Sequence, residues 1–332
     1  VPGHGQSGGD SRIFRHAHDD PRLIEFTRQS RAIWDEWSER LGIELVSRDG
    51  VVALGPAVEG RLRLLEQAGG MRARAIDPSE LRELLPLLAE YSGPAMFDEA
   101  GGAIRAREAI GALARELGDA LVADEVISLR GVEGGMAEVR TGGATTTHER
   151  VVVCAGRGTA ALARGVGLSV PVSLGAHVRG TFEVRANPPP SRLACLQDSS
   201  GQFGQAGIYA APIAGNRRYA VGLSQSVGAQ EDGSLLDPGA LASLAERAGA
   251  YVARGLPGLI LEPVELRHCW VTELPWGSDG VAVWESEGIF LVAGHNLFKQ
   301  APGLGRAVAR AALGAELPAE LRPEAKLGRA GD

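Results

Sequence analysis

Apolar residues recur at helical spacing between residues 20 and 42. Leu23, Phe26 and Ile33 fall on one face of a helix, Asp20 is a typical start of a helix, and Gly42 is a typical end. The spacing therefore predicts a helix over residues 20–42. The same criteria predict further helices over residues 57–68, from Asp77 onward, over residues 106–118 and over residues 237–255.

Other stretches have the patterns of β-strands. Residues 44–55, ELVSRDGVVALG, predict two short strands around an Asp-Gly turn. Residues 149–163 predict a continuously apolar strand, a glycine turn and a helix, as in a sheet covered on both faces. Residues 172–225 alternate and predict an antiparallel sheet, with a further strand over 261–275. Residues 288–314 predict a buried strand, a polar loop and a helix entered through Pro302.

Strands and helices alternate without an internal repeat or a low-complexity linker, which predicts a mixed α/β fold of two intertwined domains. The predicted boundaries assign 1–42, 103–171 and 278–318 to one domain, 43–102 and 172–277 to the other, and 319–332 to a tail.

Charge and composition exclude several classes of protein. The 332 residues carry a formal net charge of -7, which argues against a nucleic-acid partner. No apolar stretch approaches the ~20 residues that span a bilayer, and the polar N-terminus does not resemble a signal peptide. Three scattered cysteines do not make a disulfide framework, and the histidines do not cluster with them at the spacing of metal ligands. We expect a cytoplasmic protein with no metal, no membrane partner and no nucleic-acid partner.

Five motifs identify a family. They are GGDSRIFRHAH, ERVVVCAGRG, GIYAAP, HCWVTELPWGSDG and VAGHNLFKQAPGLG. In this order they resemble the FAD-dependent amine and amino-acid oxidases, above all the group of monomeric sarcosine oxidase and N-methyltryptophan oxidase, and the resemblance covers about residues 1–315. It implies an FAD-binding domain of the glutathione-reductase type, interleaved with a substrate domain built on an antiparallel sheet.

The family begins with a strand, a GxGxxG turn and a helix that hold the pyrophosphate. Here the letters occur as GHGQSG at residues 3–8, with no strand before them and no helix after them, so this stretch is interpreted as a loop. A βαβ unit of roughly 30 residues or more is therefore expected upstream, and the sequence is expected to be a fragment. The turn at Gly156 in AGRGTAALA is the second candidate for phosphate binding.

The resemblance implies a carboxylate clamp made by Arg15 and Lys299. A guanidinium grips a carboxylate with two parallel hydrogen bonds, and an ammonium adds a point charge. The alternative is that both are solvated surface cations. Arg12 is expected near the flavin or as an anchor of its own loop, with Ser11 beside it, and Tyr209 in the substrate pocket. His16 and His18 are interpreted as ordinary polar residues of a loop.

The resemblance also implies contacts with the cofactor. Cys269 aligns with the cysteine that bonds covalently to the flavin, the alternative being an inert buried thiol, whereas Cys154 is expected to pack in the core. The helix after Pro302 would direct its N-terminus at the flavin, the alternative being a packing helix with a proline start. The remaining residues expected to approach FAD are Val122, Gly156, Gly294, Gly303 and Gly305.

Two positions depart from the family. Continuing without gaps from Tyr209, Ala220 stands where sarcosine oxidase has its oxygen-activating lysine, and Ser224 stands at its active-site histidine; Arg217 and Arg218 lie close by in sequence and could compensate. The expected reaction is hydride transfer from the α-carbon of an amino acid to FAD, with hydrolysis of the imine and reoxidation by oxygen or another acceptor. The alternatives are a dehydrogenase that passes its electrons to another acceptor, and a flavin-free subunit that serves as a binding protein.

Overall fold

A computed structural model describes residues 2–329 of the chain. Val1 and the last three residues of the predicted tail, 330–332, lie outside the described residues. The helices of the described part are α1 (Pro21–Leu41), α2 (Val58–Ala68), α3 (Pro78–Leu84), α4 (Ala106–Leu117), α5 (Thr159–Arg164), α6 (Pro238–Gly255) and α7 (Ala301–Ala312).

Local sequence signals define the helix ends. The side chain of Asp20 accepts a hydrogen bond from the Arg22 amide at the start of α1, and Gly42 ends it in the left-handed region at φ 64°. Asp77 and Asp237 cap α3 and α6 in the same way as Asp20. The predicted helices are therefore confirmed, although α3 ends at Leu84.

The strands of the described residues form one sheet of nine strands, two sheets of three strands and one of two strands. They are β1 (Ser11–Phe14), β2 (Val51–Leu54), β3 (Ala73–Ala75), β4 (Ala95–Asp98), β5 (Gly102–Arg105), β6 (Val126–Val132), β7 (Met136–Thr141), β8 (Thr145–His148), β9 (Val151–Val153), β10 (Ser173–Val184), β11 (Cys195–Asp198), β12 (Ile208–Pro212), β13 (Arg218–Leu223), β14 (Val227–Gly228), β15 (Leu259–Glu273), β16 (Val281–Ser286) and β17 (Ile289–Gly294). Strand β1 pairs with β5, and β6, β7 and β8 form a separate antiparallel sheet.

The nine-stranded sheet, called the large sheet below, has the order β14-β10-β13-β12-β11-β2-β4-β3, with β15 paired to β10. Its strands β10 to β13 are antiparallel, as the alternation predicted. One face packs against α6 through a core that includes Phe182, Val221 and Tyr251. Side chains alternate across a strand. His177 and Arg179 on β10 and Tyr209 on β12, which are neighbours of the core residues Val178 and Ile208, therefore lie on the opposite face of the sheet.

The three-stranded sheet, called the small sheet below, has the order β16-β17-β9. β17 runs parallel to β9 and antiparallel to β16. The carboxyl ends of β9 and β17 therefore meet the start of β16 at one edge, and α7 packs against α1 beside it. Residues 319–329 pack onto this sheet through Leu321 and Leu327, which are fully buried.

Two local predictions are wrong. The first half of 44–55 does not form a hairpin strand, because Val46 makes only an isolated bridge to Ile104 while β2 pairs with β4 and β11. Cys154 is exposed rather than packed, and Val152 is 41% exposed, so β9 is not covered on both faces. The domain boundaries stay a prediction. Within residues 2–329, no helix is both long and apolar enough to cross a membrane.

Candidate active site

Arg15 and Lys299 meet at one carboxylate, that of Asp279. The Arg15 Nη2 atom lies 2.6 Å from Asp279 Oδ2, and the Lys299 Nζ atom lies 3.5 Å from Asp279 Oδ1. Both cations are buried, with 8% and 4% of their surface exposed. The structure therefore contradicts the alternative that these residues are solvated surface cations.

The fold explains why distant residues converge here. Asp279 lies just before β16, and Lys299 lies in the loop after β17; the register pairs Val281 with Gly294, so both segments leave the small sheet at the same edge. Asn296, in the left-handed region at φ 56°, donates a hydrogen bond to Asp279 Oδ1 at 3.0 Å. Arg15 reaches the same point from the loop after β1.

His18 is part of this cluster. Its Nδ1 atom lies 3.0 Å from Asp279 Oδ2 and 3.2 Å from Arg15 Nη1. Burial and the charge of Arg15 lower the pKa of His18 to about 3, so the imidazole is neutral at pH 7. A neutral ring that donates from Nδ1 to the carboxylate leaves its Nε2 atom without a partner among the described residues. The interpretation of His18 as an ordinary loop residue is wrong, whereas His16 pairs with Asp98 away from this site.

The polar face of the large sheet supplies a second group of side chains. The Tyr209 hydroxyl and His177 Nε2 are 3.1 Å apart, and burial raises the pKa of Tyr209. Arg179, two residues after His177 on β10, donates to the carbonyl of Ser11 at 2.5 Å and to its hydroxyl at 2.9 Å. Gly222, the register partner of both Arg179 and Tyr209, leaves room for the tyrosine ring, because a Cβ atom there would lie 2.5 Å from the Tyr209 hydroxyl oxygen.

His295 joins the two groups. Its ring lies edge-on to that of His177, with centroids 6.1 Å apart, and it interacts electrostatically with Asp279 and Lys299. Burial lowers the pKa of His295 to about 4, although Asp279 acts to raise it. The carboxylate cluster and the polar face of the large sheet are therefore parts of one continuous site.

Arg12 and Cys269 also lie at this site. Arg12 donates to the carbonyl of Gly8 and, at 3.3 Å, to that of Gln6, so it anchors its own loop as predicted. Burial, followed by the charge of Arg179, lowers the pKa of Arg12 to about 10, which leaves it charged at neutral pH. Cys269 is the register partner of His177 and interacts electrostatically with Arg12.

The predicted cofactor glycines have different surroundings. The end of the Gln6 side chain lies over Gly156 and would have to move to admit a Cβ atom there, and Gly294 lies against the carbonyl of Gly280. Gly303 contacts α1, because a Cβ atom there would meet Ser30, whereas Gly305 faces open space. Val122 is 80% exposed, and no hydrogen bond, ion pair or ring contact joins it to the site. The roles of these residues stay predictions.

Sequence reasoning missed Asp279, His177, Arg179 and His295. A signal existed for two of them, because His177 and Arg179 are two residues apart on an alternating strand and so share a face. The suggested compensation by Arg217 and Arg218 is wrong, since both are exposed.

The two positions that depart from the family have different environments. Ala220 is buried, with 3% of its surface exposed, between Thr181 and Ala211. Ser224 is exposed and donates to the carbonyl of Gly207 at 2.9 Å. Neither side chain supplies a charge.

Several buried polar atoms of this region have no partner among the described residues. They are Gln6 Oε1, Arg157 Nη1, His177 Nδ1, Arg179 Nε and Gln197 Oε1. Gln6 and Arg157 lie at Trp270, the first through a hydrogen bond of 3.2 Å and the second over its ring. Unpaired buried donors and acceptors are costly, so a bound group with its own donors and acceptors would fit this face. No group of three or more His, Cys, Asp or Glu in the described part is arranged to hold a metal ion.

The sequence of this chain is similar to those of known proteins. The family model described as DAO, FAD dependent oxidoreductase, matches residues 1–311. N-methyl-L-tryptophan oxidase of Salmonella arizonae (strain ATCC BAA-731 / CDC346-86 / RSK2980) is 27% identical over 173 residues, which are 49% of this chain and 46% of that protein. The match thus spans about half the length of this curated relative.

Solved structures give matches of fold. NikD, an amino acid oxidase of nikkomycin biosynthesis in its open form, is 16% identical with a TM-score of 0.80, over 95% of this chain and 86% of that one. L-proline dehydrogenase from P. horikoshii is 18% identical with a TM-score of 0.78, over 99% and 90%. Glycine oxidase from Geobacillus kaustophilus is 22% identical with a TM-score of 0.77, over 99% and 89%. At these identities the likeness is one of fold.

Proposed function

Since the chain belongs to the family of FAD-dependent oxidoreductases, we propose that it oxidises the C–N bond of a small amino acid or N-methyl amino acid. The observation that carries this proposal is the convergence of Arg15 and Lys299 on the two oxygens of one carboxylate. Two buried cations from opposite ends of the chain, both reaching the same acid group, have the chemistry of a carboxylate site.

In this proposal Arg15 and Lys299 bind the substrate carboxylate. Burial lowers the pKa of Lys299 to about 8, so at neutral pH it remains mostly an ammonium. With Asp279 ionised and His18 neutral, two cations and one anion leave one net positive charge for the substrate. Holding the carboxylate fixes the α-carbon, and this orientation is a large part of the catalytic advantage.

The unpaired polar atoms of this region support FAD as the cofactor. When bound, FAD supplies the two-electron acceptor for the oxidation. The side chains that would hold it are Gln6, Arg157 and Arg179, whose unpaired atoms combine donors and an acceptor, together with Arg12, which interacts with Arg179. Cys269 is the proposed point of covalent attachment. The imine product is then hydrolysed by water.

A dehydrogenase is a second candidate, favoured by Ala220. A buried methyl group at this position supplies no positive charge to stabilise a reduced oxygen species. The physiological acceptor would then be a quinone or a partner protein. Stopped-flow mixing of the reduced holoenzyme with oxygen separates the two: return of the oxidised spectrum within turnover supports an oxidase, and reoxidation far slower than turnover supports a dehydrogenase.

Replacing Arg15 with lysine tests the carboxylate site. Arg15→Lys keeps the charge but loses the planar pair of donors, so kcat/KM for sarcosine should fall roughly 10–100-fold, as expected when charged hydrogen bonds are lost. The loss for sarcosine methyl ester, which carries no carboxylate, should be within about threefold. Arg61→Lys is the matched control, because Arg61 pairs with Asp19 at the surface near the same loop. Equal losses for acid and ester would contradict the proposal.

A further inference from the structure

Asp279 occupies the centre of the cationic pair. Its Oδ2 atom contacts Arg15 and His18, at 2.6 Å and 3.0 Å. Its Oδ1 atom accepts a hydrogen bond from Asn296 at 3.0 Å and lies 3.5 Å from Lys299 Nζ. Each oxygen of the carboxylate therefore lies next to one of the two cations.

The backbone on both sides fixes this carboxylate. The next residue, Gly280, donates to the carbonyl of Gly277 at 3.0 Å. Gly328, at φ 89°, lies so close to the carbonyl of Asp279 that a Cβ atom would not fit. Val281 donates to the carbonyl of Leu327 at 3.1 Å. The C-terminal segment thus holds the turn that carries Asp279 against the small sheet.

Two adjacent buried cations repel each other and lose hydration, so each needs a counter-charge. The charged and titratable groups that face Lys299 are Asp279 from the turn before β16, Arg15 and His18 from the loop after β1, and His295 from the loop after β17. Both histidines are neutral at pH 7, because their pKa values are lowered to about 3 and about 4. Asp279 is the anion of this set.

The electrostatic effects of Asp279 and Arg15 on Lys299 are opposite. Burial lowers the pKa of Lys299, Asp279 acts to raise it, and Arg15 acts to lower it further. Conversely, burial acts to raise the pKa of Asp279, but Arg15, Lys299 and His18 together hold it well below its usual range. The carboxylate thus remains ionised beside both cations.

We propose that Asp279 is the positioning residue of the carboxylate site: its two oxygens hold Arg15 and Lys299 together and keep Lys299 protonated, so that the pair presents one net positive charge to a substrate with a single carboxylate. This inference rests on the proposed function and deepens it, since it names monocarboxylate amino acids as the class that balances the charge.

The composition of the chain permits a direct test. Lys299 and Lys326 are the two lysines of the sequence, and Lys326 is exposed. Protein labelled with ¹³C at lysine Cε therefore gives two signals, one from the site and one internal control. In the wild type the Lys299 signal should titrate near pH 8.

Substitutions of Asp279 and of Arg15 should shift the midpoint of the Lys299 titration in opposite directions. Asp279→Asn should lower it by roughly one unit or more, since it removes the neighbouring anion, and Asp279→Glu should restore most of it. Arg15→Gln should raise it, because it removes the neighbouring cation. Asp35→Asn is the matched control, since Asp35 pairs with Arg31 on the surface of α1 and should leave the midpoint unchanged. The Lys326 signal is the internal control in every variant.

A Lys299 midpoint within roughly 0.2 unit of wild type in Asp279→Asn overturns the inference. If Asp279→Asn does not fold, Arg15→Gln is the deciding variant. A Lys299 midpoint that is unchanged or lower in Arg15→Gln contradicts the inference that Arg15 and Lys299 share the carboxylate of Asp279.

Acetate serves as the monocarboxylate probe at constant ionic strength, read from the Lys299 signal. Its Kd should rise about tenfold in Arg15→Gln, which removes a charged contact to the bound carboxylate, and an unchanged Kd there contradicts the proposed carboxylate site. If acetate shifts the Lys299 signal in neither the wild type nor the variant, the proposed carboxylate site is contradicted. The lysine titrations then still test the effect of Asp279 on the pKa of Lys299.

Discussion

The core of the large sheet beneath α6 and strand β9 of the small sheet bury their apolar side chains to different degrees. Edge strands of both sheets expose apolar residues, Leu261 and Leu266 on β15 and Val152 on β9. In the large sheet, apolar side chains such as Phe182 and Tyr219 are almost completely buried beneath α6. In the small sheet, every residue of β17 is buried, but the neighbouring strand β9 exposes 41% of Val152, and Cys154 beyond it is exposed. An exposed apolar strand edge is a surface suited to further contacts.

The two regions also differ in where their charges lie. The core face of the large sheet is apolar, whereas the edge of the small sheet holds Arg15, Lys299 and Asp279 in the protein interior. Burying ions costs free energy even when they are paired. The core face of the large sheet thus contributes stability through apolar packing, whereas the buried charges at the edge of the small sheet cost part of it.

A substitution in the core of the large sheet should cause the greatest loss of stability. Phe182→Ala should lower the free energy of unfolding by about 3–5 kcal/mol, because it leaves a cavity in a packed core. Val152→Ala on β9 is the matched change at an exposed position and should cost less than about 0.5 kcal/mol. Urea unfolding of the two variants measures both values. Similar losses in the two variants would show that the sheets do not differ as described.

Sequence patterns predicted the elements whose signals are local. The caps at Asp20, Asp77 and Asp237 lie within a few residues of the amides they bond, so each helix start could be found from its own sequence. Strand pairing is not local. β2 pairs in parallel with β11, about 140 residues away (51↔195), and no pattern within residues 44–55 indicates this partner. The hairpin prediction failed for this reason.

The residues of the site also fall into two groups, those that a motif indicated and those that only the tertiary fold brings together. Arg15 and Lys299 were predicted because their motifs resemble a family, not because their spacing implies a meeting. Asp279 was missed, since only the register of β16 and β17 brings it to them. His16 and His18 are two residues apart and both buried, yet one pairs with Asp98 and the other with Asp279. The partner decides which of them belongs to the site, and the partner is set by the tertiary fold.

The smaller expected effect is a dependence of stability on pH, which arises at the edge of the small sheet. The pKa of Lys299 is lowered by burial from 10.5 to about 8, so between these values the unfolded chain binds more protons than the folded one. Stability should therefore rise with pH in this window. Between pH 7.5 and 9.5 the contribution of Lys299 is a gain of about 2 kcal/mol.

Comparing variants isolates this contribution from other titrating groups. Lys299→Met should lose the gain when urea unfolding is measured at pH 7.5 and 9.5, whereas Lys326→Met, at an exposed lysine, should keep it. The sign is the informative part, because a lysine stabilised by its ion pair beyond the cost of burial would have a raised pKa and would lose stability over the same window. A wild-type slope that Lys299→Met leaves unchanged would mean that the buried ammonium costs nothing, and the contrast between the two sheets would then rest on apolar packing alone.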